Sequence, residues 1–337
     1  MTSRIQKAKA AIMEYAIRSS KRKEEEGKTG FTGMLFDFDK TIVETDKFYE
    51  ECWRRVFTEL GLSAEWRKMV YKFDGSLTNS VKAMIGRIIE GVNIKGDDIS
   101  VITEEISKKI FNPVWLGQKE VEMYGAKLEG DPEVRAARVL ADYKESIGKR
   151  MITEEPERAK ELAPLVDGIQ DFVKMIPPGV LVGIASSGRV ESTISPFIKL
   201  YNLDAVFKDR LFGEESMREA EEQISGFVYK PDMGFFVHAI YLLGRSGGRI
   251  IPFDKGLYIA DNGKTDYPVG IAGLDRSMSV LLVNTDPARL QTSGERWVAS
   301  TGSFASLLNG IRSDNQKGEI SGDNVTIAQF LQTFSMN

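Results

Sequence analysis

Short apolar runs alternating with helical patterns constrain this chain more than any other feature. Met34-Leu35-Phe36, Val180-Leu181-Val182-Gly183-Ile184-Ala185, Leu257-Tyr258-Ile259-Ala260 and Val280-Leu281-Leu282-Val283 read as strands buried on both faces. Ala205-Val206-Phe207, Phe227-Val228-Tyr229 and Trp297-Val298-Ala299 are weaker strand signals of the same kind. Helical segments through Val190–Ile198 and 233–243 separate them. This order predicts a doubly wound parallel sheet with helices on both faces, an α/β fold. Ligands of such sheets collect at the carboxyl ends of the strands. Asp37, Ser186, Lys230 and Asp261 each stand at the end of an expected strand.

The first of these ends carries two carboxylates, in Asp37-Phe38-Asp39-Lys40-Thr41. Residues i and i+2 of an extended chain point to one side. Asp37 and Asp39 therefore lean toward one space, and two anions held together ask for a cation or a shared proton. The other ends are Ser186-Ser187-Gly188-Arg189, Tyr229-Lys230-Pro231-Asp232 and Ala260-Asp261-Asn262-Gly263-Lys264-Thr265-Asp266. Taken singly, each also fits an ordinary turn or strand exit. Their shared position at strand ends is what points to a site.

In order and spacing, these four segments resemble the motifs of the haloacid dehalogenase-like (HAD) superfamily of phosphotransferases. The resemblance covers roughly residues 30–45 and 160–310. It implies a Rossmann-like core and a helical cap inserted after the first motif, as in the branch of β-phosphoglucomutase and phosphoglycolate phosphatase. By this resemblance Asp37 would be the nucleophile, forming an aspartyl-phosphate, and Asp39 the general acid and base. Ser186 and Ser187 would bind phosphate oxygens, and Lys230 would neutralise charge between phosphate and Asp37. Mg²⁺ would be held by Asp37, by the backbone carbonyl of Asp39 and by Asp261, with Asp266 behind them positioning a water. The activity implied is Mg²⁺-dependent hydrolysis of a small phosphomonoester. A phosphomutase acting on a sugar phosphate is the alternative, and a non-catalytic binding protein on the same fold is a third. Lys40 stands where this branch usually has glycine, and Tyr49 replaces the hinge histidine of close β-phosphoglucomutase relatives.

The expected division is 1–29 as an N-terminal helix and linker, 30–45 with 161–312 as core, 46–160 as helical cap and 313–337 as a C-terminal extension. Within the insert, Phe48, Cys52, Trp53, Val56, Phe57 and Leu60 share one helical face, and Gly61 stops it. Further helical stretches fall around 64–73, 77–90, 98–111, 131–146 and 155–175, with Gly148 among the glycines read as punctuation. The linkers 42–46 and 162–168 would let the cap close over a small substrate, and Arg54, Arg55, Lys82 and Arg87 are candidates to meet its non-reacting end.

Of 337 residues 42% are hydrophobic and the net charge is −4, with acids and bases mixed, so no broad basic field for nucleic acid is present. No run approaches the roughly 20 apolar residues of a membrane span, and residues 1–29 lack the apolar core of a signal peptide. A small phosphorylated metabolite is therefore the expected partner, without nucleic acid or membrane, and the cytoplasm the expected compartment. The sequence leaves the oligomeric state open. A single cysteine, Cys52, precludes an internal disulfide, and its place in a helical pattern far from His238 makes it a poor nucleophile candidate. His238 lies among Phe235, Phe236, Val237 and Ile240 and is expected to pack on a helix. Gly244-Arg245-Ser246-Gly247-Gly248-Arg249 lacks the Lys-Ser/Thr ending of a P-loop and reads as a surface loop whose arginines would border the site.

Overall fold

The computed structural model describes residues 31–59, 132–217, 230, 233–262, 278–283, 298–301 and 304–305. The expected N-terminal helix, the stretches at 64–73, 77–90 and 98–111, the strand at 227–229 and the C-terminal extension lie outside these residues. The chain divides into two compact units, residues 1–45 with 163–337, and Asp46–Leu162.

Among the described residues the first unit is built on a six-stranded parallel sheet of order β3-β2-β1-β4-β5-β6. The strands are β1 (Gly33–Phe36), β2 (Leu181–Ala185), β3 (Leu211–Phe212), β4 (Gly256–Ala260), β5 (Ser279–Val283) and β6 (Val298–Thr301). From β1 the chain winds outward one way through β2 and β3. It then crosses back to β4 and winds the other way. The strand order therefore reverses between β1 and β4, and the carboxyl ends of strands at such a reversal are where open α/β sheets bind ligands.

Alternation along β1 explains how both faces are covered. Phe36 packs edge-on to Phe172 and Phe207 at 6.1 and 5.7 Å between ring centroids, with Phe304 beside it. Leu35 joins the opposite cluster with Phe235, Phe236, Ile240, Leu243 and Tyr258. Phe235, Phe236, Ile240 and Leu243 come from the helix Met233–Ser246. His238 lies on that helix, half-buried, with its ring 6.1 Å from that of Tyr241. The helix Ile169–Met175 supplies Phe172 and starts at Gly168, whose φ is +81°. A Cβ there would lie 2.3 Å from the backbone nitrogen of Ala305, so glycine is required twice over.

Two expectations need correction in this unit. Ala205-Val206-Phe207 is a short helix, Asp204–Phe207, and the neighbouring strand is Leu211–Phe212 instead. Asp204 opens the turn and Phe207 is driven inward against Phe36, which a one-turn helix achieves as well as a strand. Arg249 does not border the strand-end site. Its Nη2 donates to the carbonyls of Thr32 and Gly179, just before β1 and β2, at the amino ends of the strands.

In the second unit the described residues form α1 (Asp46–Glu59), α2 (Pro132–Glu154) and α3 (Pro156–Leu162). The expected apolar face of α1 is buried at Phe48, Cys52, Trp53 and Val56. Burial pushes the Cys52 thiol up to about 12, which removes it as a nucleophile. Gly148 does not end a helix: α2 runs through it. A Cβ at 148 would lie 3.3 Å from the Phe48 ring and 3.5 Å from Cys52 Sγ, so the glycine makes room for α1.

Arg54 and Arg55, candidates for substrate contact, are engaged within this unit. Arg54 grips Glu51 with two hydrogen bonds of 2.6 Å, and Arg55 links Glu51 to Glu155 at 3.0 and 2.5 Å. Lys82 and Arg87 lie outside the described residues. Tyr49 carries the ammonium of the buried Lys144 over its ring, 3.7 Å from the centroid. Hydrogen bonding from Arg54 first, and then from Arg55, holds the Glu51 carboxyl down from 4.5 to about 2, against the opposing effect of burial. A depressed carboxyl stabilises the fold above its unfolded value and loses that contribution as pH falls toward the folded value. Glu51→Gln is therefore expected to be less stable than wild type by about 1 kcal/mol at pH 7, after allowance for solvent screening. The difference should shrink between pH 4.5 and pH 2 in denaturant melts. A gap independent of pH in that window would show that the ion pairs contribute nothing.

Among the described residues no helix is long and apolar enough to cross a membrane.

Candidate active site

Of the four expected site residues, Asp37, Ser186 and Asp261 directly follow β1, β2 and β4, and Lys230 reaches Asp37. Asp37 follows β1, and its N–H donates 2.7 Å to the carbonyl of Ile259 in β4. Asp261 follows Ala260, the last residue of β4, so the two carboxylates leave adjacent parallel strands one residue apart in register. Ser186 follows β2, on the other side of β1. Lys230 sits in a turn just before the helix Met233–Ser246.

The central contact is between Lys230 Nζ and Asp37 Oδ1, at 2.9 Å. Their side chains are only 7% and 11% exposed, so the pair is screened little by solvent. Asp37 Oδ1 also accepts the N–H of Phe38 at 2.8 Å. Two donors on one oxygen fix the carboxylate's rotation. The ammonium lies near the rings of Tyr258 and Phe235, at 5.1 and 5.5 Å from their centroids.

Asp39 turns away from the strand, and its Oδ1 accepts the Thr45 hydroxyl at 2.5 Å. The chain between them folds tightly, Lys40 N–H to Val43 O at 2.7 Å and Ile42 N–H to Phe38 O at 2.9 Å. Lys40 takes up this turn with φ of +57°. That conformation costs a residue with a Cβ roughly 1–2 kcal/mol, which accounts for glycine as the usual occupant. Lys40→Gly is expected to raise stability by about 0.5–1 kcal/mol once the greater freedom of the unfolded glycine is deducted. Lys40→Val should lower it, and chemical denaturation of the pair tests the sign of both.

The Ser186 hydroxyl is buried and accepts the Gly188 N–H at 3.2 Å, whereas Ser187 is exposed. This loop is gripped by the segment after β3. Glu214 N–H donates to the Gly188 carbonyl at 2.9 Å, and Arg189 Nε to the Glu214 carboxylate at 2.9 Å. Val190 N–H donates to the Glu215 carboxylate at 2.9 Å. Beyond it the chain makes a π-helical turn at Val190–Ile194 and continues as the helix Ser195–Leu200.

The donors are hard oxygens, and among the described residues no three His, Cys, Asp or Glu side chains converge into a cage. Two carboxylates on neighbouring strands plus a backbone carbonyl suit an ion that keeps several waters, as Mg²⁺ does. Thr41 Oγ1, wholly buried just beyond Asp39, has no hydrogen-bond partner among the described residues. It is a buried polar group of the kind that a ligand or water satisfies. Asp266 lies outside the described residues.

Sequence reasoning missed Thr45, Glu214, Glu215 and Tyr258. Thr45 and the two glutamates act through folds of the backbone that carry no periodic signal. Tyr258 was legible only as a strand residue, although a tyrosine in a doubly buried strand needs a partner for its hydroxyl.

No protein-family model matches the chain, and no curated protein does. Solved structures do. CbbY from Rhodobacter sphaeroides in complex with phosphate has a TM-score of 0.49 at 14% identity, over 82% of this chain and 96% of that one. A predicted phosphoglycolate phosphatase from Haemophilus somnus gives 0.49 at 14%, over 84% and 99%. The HAD hydrolase, family IA, variant 3 from Entamoeba histolytica gives 0.47 at 14%, over 89% and 99%. Such identities are too low to carry a substrate or a residue's role from one chain to another. Among the structures similar to this chain, many are hydrolases of the HAD family.

Proposed function

We propose that this chain is a HAD-like phosphatase that hydrolyses a small phosphomonoester. The observation that carries this reading is the buried Lys230–Asp37 pair at the reversal of strand order, with Asp261 and Ser186 on the flanking strand ends. Among the described residues the hydrogen bond and ion pair of the Asp37 carboxylate both go to Oδ1, which leaves Oδ2 as the attacking atom. Attack at phosphorus forms the Asp37 acyl-phosphate as the ester P–O bond breaks. Asp39 gives the departing oxygen its proton. Asp39 then takes a proton from a water that attacks the acyl-phosphate, releasing inorganic phosphate and restoring Asp37. Lys230 and the Ser186 loop take up the charge of the phosphoryl oxygens.

Asp37, the carbonyl of Asp39 and Asp261 would hold Mg²⁺, which when bound supplies Lewis-acid neutralisation of the phosphoryl group. Exclusion of bulk water during the reaction would restrict the substrates to small phosphorylated metabolites. The test is turnover of an aryl phosphate with and without Mg²⁺, followed by a panel of phosphometabolites. Mg²⁺-dependent release of phosphate is expected. Inactivity across the panel would overturn the reading, and sugar-phosphate isomerisation without phosphate release, seen by phosphorus NMR, would replace it with a mutase.

A further inference from the structure

We propose that Tyr258 is a positioning residue that sets both groups meeting the phosphate's charge, an inference that rests on the phosphatase reading. Tyr258 lies in the middle of β4, wholly buried, opposite Leu35 of β1. Its hydroxyl reaches past β1 and donates 2.9 Å to the carbonyl of Ala185, the last residue of β2. That carbonyl and the N–H of Ser186 belong to one peptide unit. The N–H of this unit donates to Phe212 O in β3 at 3.0 Å. The peptide plane that presents Ser186 is thus held at both ends, by β3 on one side and by Tyr258 on the other. Peptide planarity passes this constraint to the Ser186 Cα.

The same ring lies 5.1 Å from Lys230 Nζ, within the range at which an aromatic face attracts an ammonium. Lys230 in turn holds Asp37. One side chain therefore links the serine of one strand end to the lysine of the opposite turn. A phenylalanine would fill nearly the same core volume, so packing alone does not explain the hydroxyl. The two contacts use different parts of tyrosine and can be separated by substitution.

Tyr258→Phe keeps the ring beside Lys230 and removes the hydroxyl's hold on the Ala185–Ser186 peptide. It is expected to weaken binding of inorganic phosphate, measured by calorimetry with Mg²⁺ present, about tenfold. Tyr258→Leu removes both contacts and should weaken it further, with an added fall in kcat as Lys230 loses its place beside Asp37. Phe236→Leu is the control. Phe236 packs edge-on against Tyr258 at 5.0 Å and is equally buried. Phe236→Leu should lower Tm while leaving phosphate affinity in the folded protein within twofold. The proposal is overturned if Tyr258→Phe binds phosphate within twofold of wild type, or if Phe236→Leu loses as much affinity as Tyr258→Phe. A wild-type chain that neither binds phosphate nor releases it from any ester would instead fail the phosphatase reading itself, and the proposal with it.

Discussion

Asp37→Asn is expected to abolish turnover while the protein stays folded. An amide oxygen is not a competent nucleophile toward phosphorus, and no neighbouring side chain on β1 can replace it. The loss should be at least on the order of 10⁴-fold in kcat, and removal of a covalent nucleophile elsewhere costs about 10⁶-fold. Stability should fall as well. Lys230 is 7% exposed and its Nζ lies 2.9 Å from Asp37 Oδ1, so the substitution deprives a nearly buried ammonium of its counter-charge. Asparagine retains an acceptor for Lys230 and for the Phe38 N–H, which limits the cost to about 1–2 kcal/mol rather than the larger cost of an unpaired buried charge. The two effects are separated by measuring aryl phosphate turnover at 25 °C alongside the thermal midpoint. Residual activity above a few per cent of wild type would remove Asp37 as nucleophile, whatever happened to the midpoint.

Sheet and strand ends were legible in the sequence because doubly buried strands are almost purely apolar. Residues such as Asp37 and Ser186 stand out where such a run stops. The order of the strands was not legible, since it depends on which way the chain winds after each crossover. Ala205–Phe207 misled for a related reason. Three apolar residues satisfy either a strand or one helical turn, and the choice was made by Phe207 packing on Phe36. Gly148 looked like punctuation because a sequence shows a missing side chain but not the Phe48 ring and Cys52 thiol that use the space. At the candidate site, the residues proposed to perform the chemistry were those that could be named from the sequence. Those that hold them in place were not: Thr45 on Asp39, Glu214 and Glu215 on the serine loop, and Tyr258 beneath it.

Gly213→Ala is expected to damage both stability and catalysis, although glycine 213 touches no substrate. A methyl built there lies 2.4 Å from the Gly188 carbonyl oxygen, 2.8 Å from Val190 Cγ2 and 3.1 Å from Val190 N. Two of these three neighbours are backbone of the loop that carries Ser186, so no flexible side chain can swing aside. The Gly188 carbonyl is also fixed from the same segment, because it accepts the Glu214 N–H at 2.9 Å. To admit the methyl, the contact must open from 2.4 Å to the 3.0 Å that real Cβ atoms respect. That movement stretches the Glu214–Gly188 bond and draws the Val190 N–H from the Glu215 carboxylate. Overpacking of this kind costs about 1–3 kcal/mol, and the strained hydrogen bonds add about 1 kcal/mol. The Ser186 hydroxyl accepts from Gly188 N–H and must follow that residue. If this loop binds phosphate as proposed, its displacement by a fraction of an ångström should lower kcat/KM about 10- to 100-fold. Gly179→Ala is the matched control, because a methyl there meets nothing within 4 Å. It should leave activity unchanged and be neutral or slightly stabilising, by up to about 1 kcal/mol. Equal thermal midpoints and equal kcat/KM for Gly213→Ala and Gly179→Ala would show that the segment after β3 does not hold the serine loop.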